Sequence, residues 1–304
     1  MSGLERRIES GDVIVLDGAT GTELERRGVP MDDAAWCAAA LVTHPETVRE
    51  VHEDYIRAGA DVITTNTFPT ARHVLEPAGM GEHFQELNTL AVDLAKQARD
   101  NAAELPVHIA GSISTFSPHN DDSLEPPEKI ARANYREQAE VLAEAGADLI
   151  TLEMMRDIEQ TRYAVEAAAL TGLPIWVGFS CKRTADGTVV LWDGEHTLAE
   201  ALAEIPLHGA SLVSVMHTLV EDAIPALREV TAGWEGPVGA YPHAGRFVMP
   251  NWQFTDMISP EDFARRGREW LDLGARVIGG CCGIGPDHIR ALKNRLPANI
   301  AAEW

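Results

Sequence analysis

The sequence predicts an α/β protein with a single (β/α)8 TIM-barrel domain over residues 1–304. Three observations carry that prediction. Eight short apolar runs, rich in β-branched residues, recur along the chain, as strands buried on both faces do. Helical stretches fill every gap, so strands and helices alternate at spacings of roughly 25 to 50 residues. Each run also ends in polar or reactive residues, and the carboxyl ends of barrel strands are where chemistry collects. The rival architecture, a doubly wound open sheet, wants a GxGxxG turn after its first strand, and "DGATGTE" does not supply one.

In chain order, the first strand is predicted in "DVIVLDGAT" (12–20), followed by the helical stretch "PETVREVHEDYIRAGA". The second lies in "ADVITTNTF" (60–68), followed by "HFQELNTLAVDLAKQARDNAAE". The third is "PVHIAGSIS" (106–114); "TFSPHNDDSLEPPEK" (115–129) then reads as a long loop on the active face, before "PEKIARANYREQAEVLAEAGA". The fourth is "ADLITLEMM" (147–155) with "DIEQTRYAVEAAALTG", and the fifth "PIWVGFSCK" (174–182) with "TLAEALAEIPLHGA". The sixth is "ASLVSVMHT" (210–218) with "LVEDAIPALREVTA". The seventh is "GPVGAYPHAG" (236–245) with "SPEDFARRGREWLDLGA", and the eighth is "ARVIGGCCG" (275–283). Several helices close on Ala-Gly-Ala or Gly-Ala, a stop signal before a strand. The longest strand-to-strand gaps follow the first and second strands, and no linker or low-complexity tract divides the chain.

Composition narrows the function. With 47 acidic against 25 basic residues, the net charge of −22 argues against nucleic acid and anionic membranes as partners. The N-terminus lacks the apolar segment of a signal peptide, and no stretch approaches the roughly 18 apolar residues of a membrane span. Four cysteines are too few for a disulfide scaffold, so a cytoplasmic location is expected, where paired cysteines more often serve metal binding or catalysis.

The predicted strand ends present Asp17, Thr65 and Asn66, Ser112, Glu153, Cys181, His217, Tyr241 and His243, then Cys281 and Cys282. The adjacent cysteines in "GGCCGIG" can bind zinc if the backbone turns enough to aim both sulfurs at one point. Gly279, Gly280 and Gly283 allow such a turn and the close approach of a ligand. A catalytic zinc takes a third protein ligand from elsewhere. Cys181 ends the fifth strand, across the ring, whereas His217 and His243 end the sixth and seventh; on residue type and topology these two histidines are close rivals. Glu153 can pair with a substrate ammonium. Trp192, Trp252 and Tyr241 can form a cation–π wall for an onium ligand, although core packing is the first expectation for each.

Taken together, "VLDGATGTELERRG" (15–28), "GADVITTNTF" (59–68), "CKRTADGTVVLWDG" (181–194), "YPHAG" (241–245) and "EWLDLGARVIGGCCGIGPDHI" (269–289) resemble the zinc-dependent homocysteine S-methyltransferases. The resemblance covers about residues 12–292. It implies a zinc-dependent enzyme that moves a methyl group from a small onium donor, such as S-methylmethionine or a betaine, to the thiol of homocysteine, giving methionine. It also implies that Cys281 and Cys282 are zinc ligands, that Glu153 holds the homocysteine amino group, and that Asp17, Gly18 and Thr20 lie against the amino acid and the zinc. Asn66 is a candidate substrate contact, and His243 and Tyr241 are candidates to support the metal site from behind. No corrinoid or folate module is present in this chain, so small-molecule thiol and donor are the expected partners; a corrinoid protein acting in trans stays open.

The chain departs from the family pattern at two places. Where the family shows "GVNC" at the sixth strand end, this sequence has "SVMHT", so Met216 and His217 replace asparagine and the third cysteine. Where the family shows "YPNSG", His243 replaces asparagine. A Cys2His set still binds zinc catalytically. Exchanging a thiolate for a neutral imidazole raises the charge of the site by one, which strengthens acidity and blunts a bound thiolate. That keeps two alternatives alive: a zinc hydrolase or lyase using a metal-bound water, and a non-catalytic relative.

Overall fold

The computed structural model describes residues 3–207 and 209–296, so the ends of the predicted domain and His208 lie outside the described residues. Eight parallel strands form the barrel: Ile14–Val15, Val62–Thr64, His108–Ser114, Leu149–Met155, Ile175–Arg183, Ala210–Leu219, Val238–His243 and Ala275–Ile278. Each pairs with its sequence neighbour, and the eighth pairs with the first through Ile14–Val277 and Val15–Ile278. A parallel bridge between Leu16 and Val62 joins the first strand to the second and closes the ring. The observed strands fall inside the eight predicted runs except where the fifth and sixth extend one residue beyond them. The first, second and eighth are shorter than their apolar runs, because the chain leaves the sheet early to build the loops that carry the site.

Seven predicted helical stretches appear between strands, from Pro45–Ala58 to Pro260–Asp272. Their stop signals act as glycine geometry demands: Gly59 and Gly146 sit in the left-handed region at φ 103° and 93° and accept no β-carbon cheaply. The helix Leu198–Glu204 begins with a reciprocal cap, the Thr197 hydroxyl accepting from the Glu200 N–H while the Glu200 carboxylate accepts from the Thr197 N–H. Two short features were not legible in the sequence. Val189–Leu191 folds back antiparallel on the fifth strand, and Arg246–Val248 pairs with Asn251–Gln253 as a hairpin above the barrel mouth. Among the described residues, no helix is long and apolar enough to cross a membrane.

Candidate metal centre and its two cavities

Two backbone irregularities shape the mouth of the barrel. The sixth strand shifts register against the seventh between Met216 and Leu219, and His217 there adopts φ 42°, a left-handed conformation rare outside glycine. The fourth strand shifts against the fifth between Leu152 and Met155, and Met154 adopts φ 53°. The two face each other: the Met154 N–H donates to the Met216 sulfur at 2.9 Å. The Ser180 hydroxyl donates to the His217 carbonyl at 2.9 Å.

The cysteine loop is held from three sides. The Cys281 N–H donates to Pro242, the Gly280 N–H to Asp17, and the Cys282 carbonyl accepts from Ala244. The Gly283 N–H donates to the Thr22 hydroxyl, and its carbonyl accepts from Arg26. The flanking glycines allow the turn and also the close approach of neighbouring chain, while Gly280 lines the inner cavity. A β-carbon on Gly283, itself at φ 82°, would lie 2.1 Å from the Ala244 carbonyl oxygen, and one on Gly18 would lie 2.2 Å from that of Ile284. The first-strand loop, the seventh-strand end and the cysteine loop can therefore stack only as glycine allows.

This packing brings His217, Cys281 and Cys282 together, with one donor atom from each within 4.8 Å of the others. The Cys281 sulfur lies 3.9 Å from His217 Nδ1 and 3.9 Å from the Cys282 sulfur. The thiol of Cys282, hydrogen-bonded to Cys281, holds the Cys281 sulfur well below the usual thiol range, and Cys282 is pushed up correspondingly. His243 packs beside this cluster with ring centroids 4.9 Å from His217, but its donor atoms are not within the converging group. Burial, reinforced by His217, keeps its imidazole well below the usual histidine range. Cys181 is buried apart from the cluster, with its N–H held by the Thr218 hydroxyl.

Two cavities meet at this cluster, sharing Trp36, Phe68 and Cys282. The inner one, about 60 Å3, is lined by Asp17, Gly18, Thr20, Asn66, Glu153, Tyr241 and Cys281 among others. Glu153 accepts from the Ser112 hydroxyl at 2.5 Å, and burial pushes its carboxyl up to about 8. Asp17 accepts from the Thr64 N–H at 2.7 Å and the Thr64 hydroxyl at 3.0 Å; burial pushes it to about 8 as well. Asn66 lines the same space, but its amide is engaged: Nδ2 donates to the Cys37 carbonyl at 3.1 Å and Oδ1 accepts from the Cys37 thiol at 3.2 Å.

The outer cavity, about 390 Å3, is walled by rings. Phe116, Phe68, Trp36, Phe247, Trp252, His243, His217 and Trp192 form a chain in which successive centroids lie 4.9 to 6.2 Å apart. Trp192 and Trp252 are in the wall, but Tyr241 is not. It sits two residues below His243 on the same strand, one layer deeper in the barrel, and lines the inner cavity. Sequence reasoning missed Trp36, Phe116 and Phe247, which come from three separate excursions with no spacing to link them. The long loop after the third strand contributes Phe116 and Asn120 to the wall and is pinned by the buried Arg156, whose guanidinium meets Asp122, Ser117 and Glu125.

Residues 14–296 match the family model described as homocysteine S-methyltransferase. The chain belongs to that family. As a member it is an enzyme of methyl transfer to the sulfur of homocysteine, whose product is methionine. Homocysteine S-methyltransferase YbgG of Bacillus subtilis is 29% identical, over 96% of this chain and 97% of its own. Betaine–homocysteine S-methyltransferase 1 of Bos taurus is 30% identical, over 97% of this chain and 74% of its own. The solved homocysteine methyltransferase MmuM of Escherichia coli, in its metallated form, superposes with a TM-score of 0.79 at 28% identity, covering 97% of this chain and 100% of that one. Family membership sets aside the hydrolase, lyase and non-catalytic alternatives. The donor cluster, together with a metallated relative, points to a metal at this site.

Proposed function

We propose that the chain is a zinc-dependent homocysteine S-methyltransferase whose metal is held by His217, Cys281 and Cys282, and whose methyl donor is a small onium compound. The observation that carries this reading is the convergence of one imidazole and two thiols where a polar cavity meets an aromatic one. Two sulfurs and one nitrogen suit zinc, and three protein ligands leave a coordination position open. When bound, zinc supplies a Lewis acid that lowers the pKa of the acceptor thiol, so that its thiolate is available near neutral pH.

The remaining work falls to the chain's own side chains. Glu153, nearly neutral when alone in its buried site, ionises on meeting the homocysteine ammonium and holds it by a charge-assisted bond. Asp17, fixed by two Thr64 bonds, closes the same end with the tight Gly18 turn and Thr20. The acceptor sulfur is thereby directed outward, past Cys282, toward the ring-lined cavity. There the electron-rich faces of Trp192 and Trp252 attract the positive donor and keep water from it. The sulfur's electron pair forms the new bond to the methyl carbon as the carbon–heteroatom bond of the donor breaks. Its electrons stay with the donor, which leaves neutral, and the thiol proton passes to solvent.

The test is metal analysis of freshly purified protein, followed by assay of homocysteine with S-methylmethionine or glycine betaine. Stoichiometric zinc with methionine formation is expected. Zinc without methionine from either donor would overturn the donor class, and absence of bound metal would overturn the ligand set.

A further inference from the structure

We propose that His243 is a positioning residue that buttresses the His217 ring, so that Nδ1 of His217 stays aimed at the two cysteine sulfurs. The inference rests on His217 being a metal ligand. His217 has unusual need of support. Its backbone is left-handed at φ 42°, at the point where the sixth strand slips register. The nitrogen that approaches Cys281 is Nδ1, the one next to the ring's attachment point, so small rotations of the ring swing it off target. Among the described residues, no hydrogen bond between His217 and another side chain fixes the ring apart from the long contact to Cys281. Packing must orient it.

Two rings supply that packing. Trp192 meets His217 edge-on with centroids 5.7 Å apart, but Trp192 is 38% exposed and backed by solvent. His243 meets it at 4.9 Å and is only 4% exposed. Behind His243 stands Trp252, at 5.7 Å and 87°, itself 4% exposed. Trp252 is anchored at both ends of its residue: Nε1 donates to the Ala244 carbonyl at 3.1 Å, and the backbone N–H donates to the Glu25 carboxylate at 2.9 and 3.0 Å. A row of rings thus runs from the helix Thr20–Arg26 through the buried Trp252 and His243 to the half-buried His217. Among the described residues His243 Nδ1 is buried with no hydrogen-bond partner, so what holds this ring is its shape and surroundings rather than a bond at that atom. An orphaned polar atom there is tolerable where the ring itself is needed.

Ring shape is therefore the property to vary, with metal affinity as the readout. Zinc affinity of the full chain is measured by competition with a chromophoric chelator, and the cobalt-substituted protein is followed by its visible spectrum. His243→Asn, which removes the ring, is expected to weaken zinc binding about tenfold or more and to shift the cobalt bands. His243→Phe, which keeps the ring, is expected to stay within about twofold of the parent. In a His217→Cys background the short thiol needs no ring support, and His243→Asn is expected to change affinity less than about twofold. Circular dichroism of each variant checks that the barrel is intact. Unchanged affinity in His243→Asn, equal loss in His243→Phe, or equal loss in the His217→Cys background would each overturn the buttress. Failure of the ligand reading is separable: it would show as zinc retained at parental affinity in His217→Ala.

Discussion

The inner and outer cavities share three residues and almost no chemistry. The inner one is built from carboxylates, threonines and a glycine turn, with both acids fully buried and shifted upward. The outer one is built from six carbocyclic or indole rings and two imidazoles; of the two guanidiniums on its lining, Arg156 and Arg246, the first is paired with Asp122 and Glu125. The difference teaches how one site can serve two reactants of opposite demands. An amino-acid acceptor must be gripped at its ionic end and presented sulfur first, which needs fixed charges of low mobility. A methylated cation must be attracted without being hydrogen-bonded at the reacting carbon, which aromatic faces do. The metal donors stand at the boundary because the bond to be made crosses it.

The boundary itself is the most sensitive place to break this division. Cys282 lines both cavities, so Cys282→Ala should abolish metal retention and lower kcat/KM at least about 10³-fold, the scale of several kcal/mol of lost activation. Removing the metal with a chelator should do the same and be reversed by added Zn2+. Elemental analysis beside the methionine assay checks both; a Cys282→Ala protein that keeps metal and activity would break the comparison at its root.

Within the inner cavity, Glu153→Gln keeps the size of the side chain and an acceptor for Ser112 but loses the charge. It should raise the KM for homocysteine by about 10- to 100-fold, the worth of one charged hydrogen bond, and leave the KM for the donor near its parental value. Steady-state titration of each substrate separates the two. If both constants rose together, the cavities would not be divided by reactant.

The contrast between the cavities also explains what the sequence could reveal. Parallel strands buried on both faces write themselves as apolar runs, so all eight were readable, and their ends pointed to Asp17, Glu153, His217, Cys281 and Cys282. The inner cavity is lined by all of those ends except His217, which faces the outer one, and was therefore legible. The outer wall was not, because Trp36, Phe116 and Phe247 come from loops whose return path depends on tertiary packing. Trp36 fits only because Gly21 leaves room, a β-carbon there lying 2.5 Å from its ring. The hairpin Arg246–Gln253 was missed because its alternating exposure leaves too few apolar residues to register as strand. Tyr241 was misplaced by treating the strand end as one level, when residues two apart occupy different layers.

The buried acids give a pH signature that the phenylalanines and tryptophans of the outer cavity cannot. Glu153 titrates from 4.5 in the unfolded chain to about 8 in the fold, and Asp17 from 3.8 to about 8. A raised carboxyl pKa means that the fold prefers the protonated form. That stability is fully present below about pH 4 and is lost as pH rises through about 8. In metal-free protein, Glu153→Gln should therefore gain on the parent by a few °C in Tm at pH 8 and show little gain at pH 4. Thermal melts across that window check the sign; a difference that narrowed with rising pH would mean the carboxyl is ionised when buried. Substitution of a phenylalanine or tryptophan in the outer cavity, which carries no titratable group, should give no such pH-dependent gap.

The smallest effect belongs to the outer wall, and it sharpens the comparison because two tryptophans there do different work. Trp192 is 38% exposed, with Lys182 Nζ 5.8 Å from its ring centroid, so its attraction for a cation is shared with solvent and with a competing charge. Exposed cation–π contacts are worth about 0.5–1 kcal/mol, so Trp192→Ala should raise the donor KM by about two- to fivefold. The homocysteine KM should not move. Trp192→Phe, which keeps a weaker π face, should fall between the two. Trp252 is buried and props His243, so Trp252→Ala should lower metal affinity as well as donor binding. Paired measurements of donor KM and zinc affinity distinguish them: a donor effect alone marks a residue that only faces the ligand, and a joint effect marks one through which the wall also supports the metal. If Trp192→Ala lost metal as readily as Trp252→Ala, the aromatic cavity would be a single structural unit and its division into ligand face and support would fail.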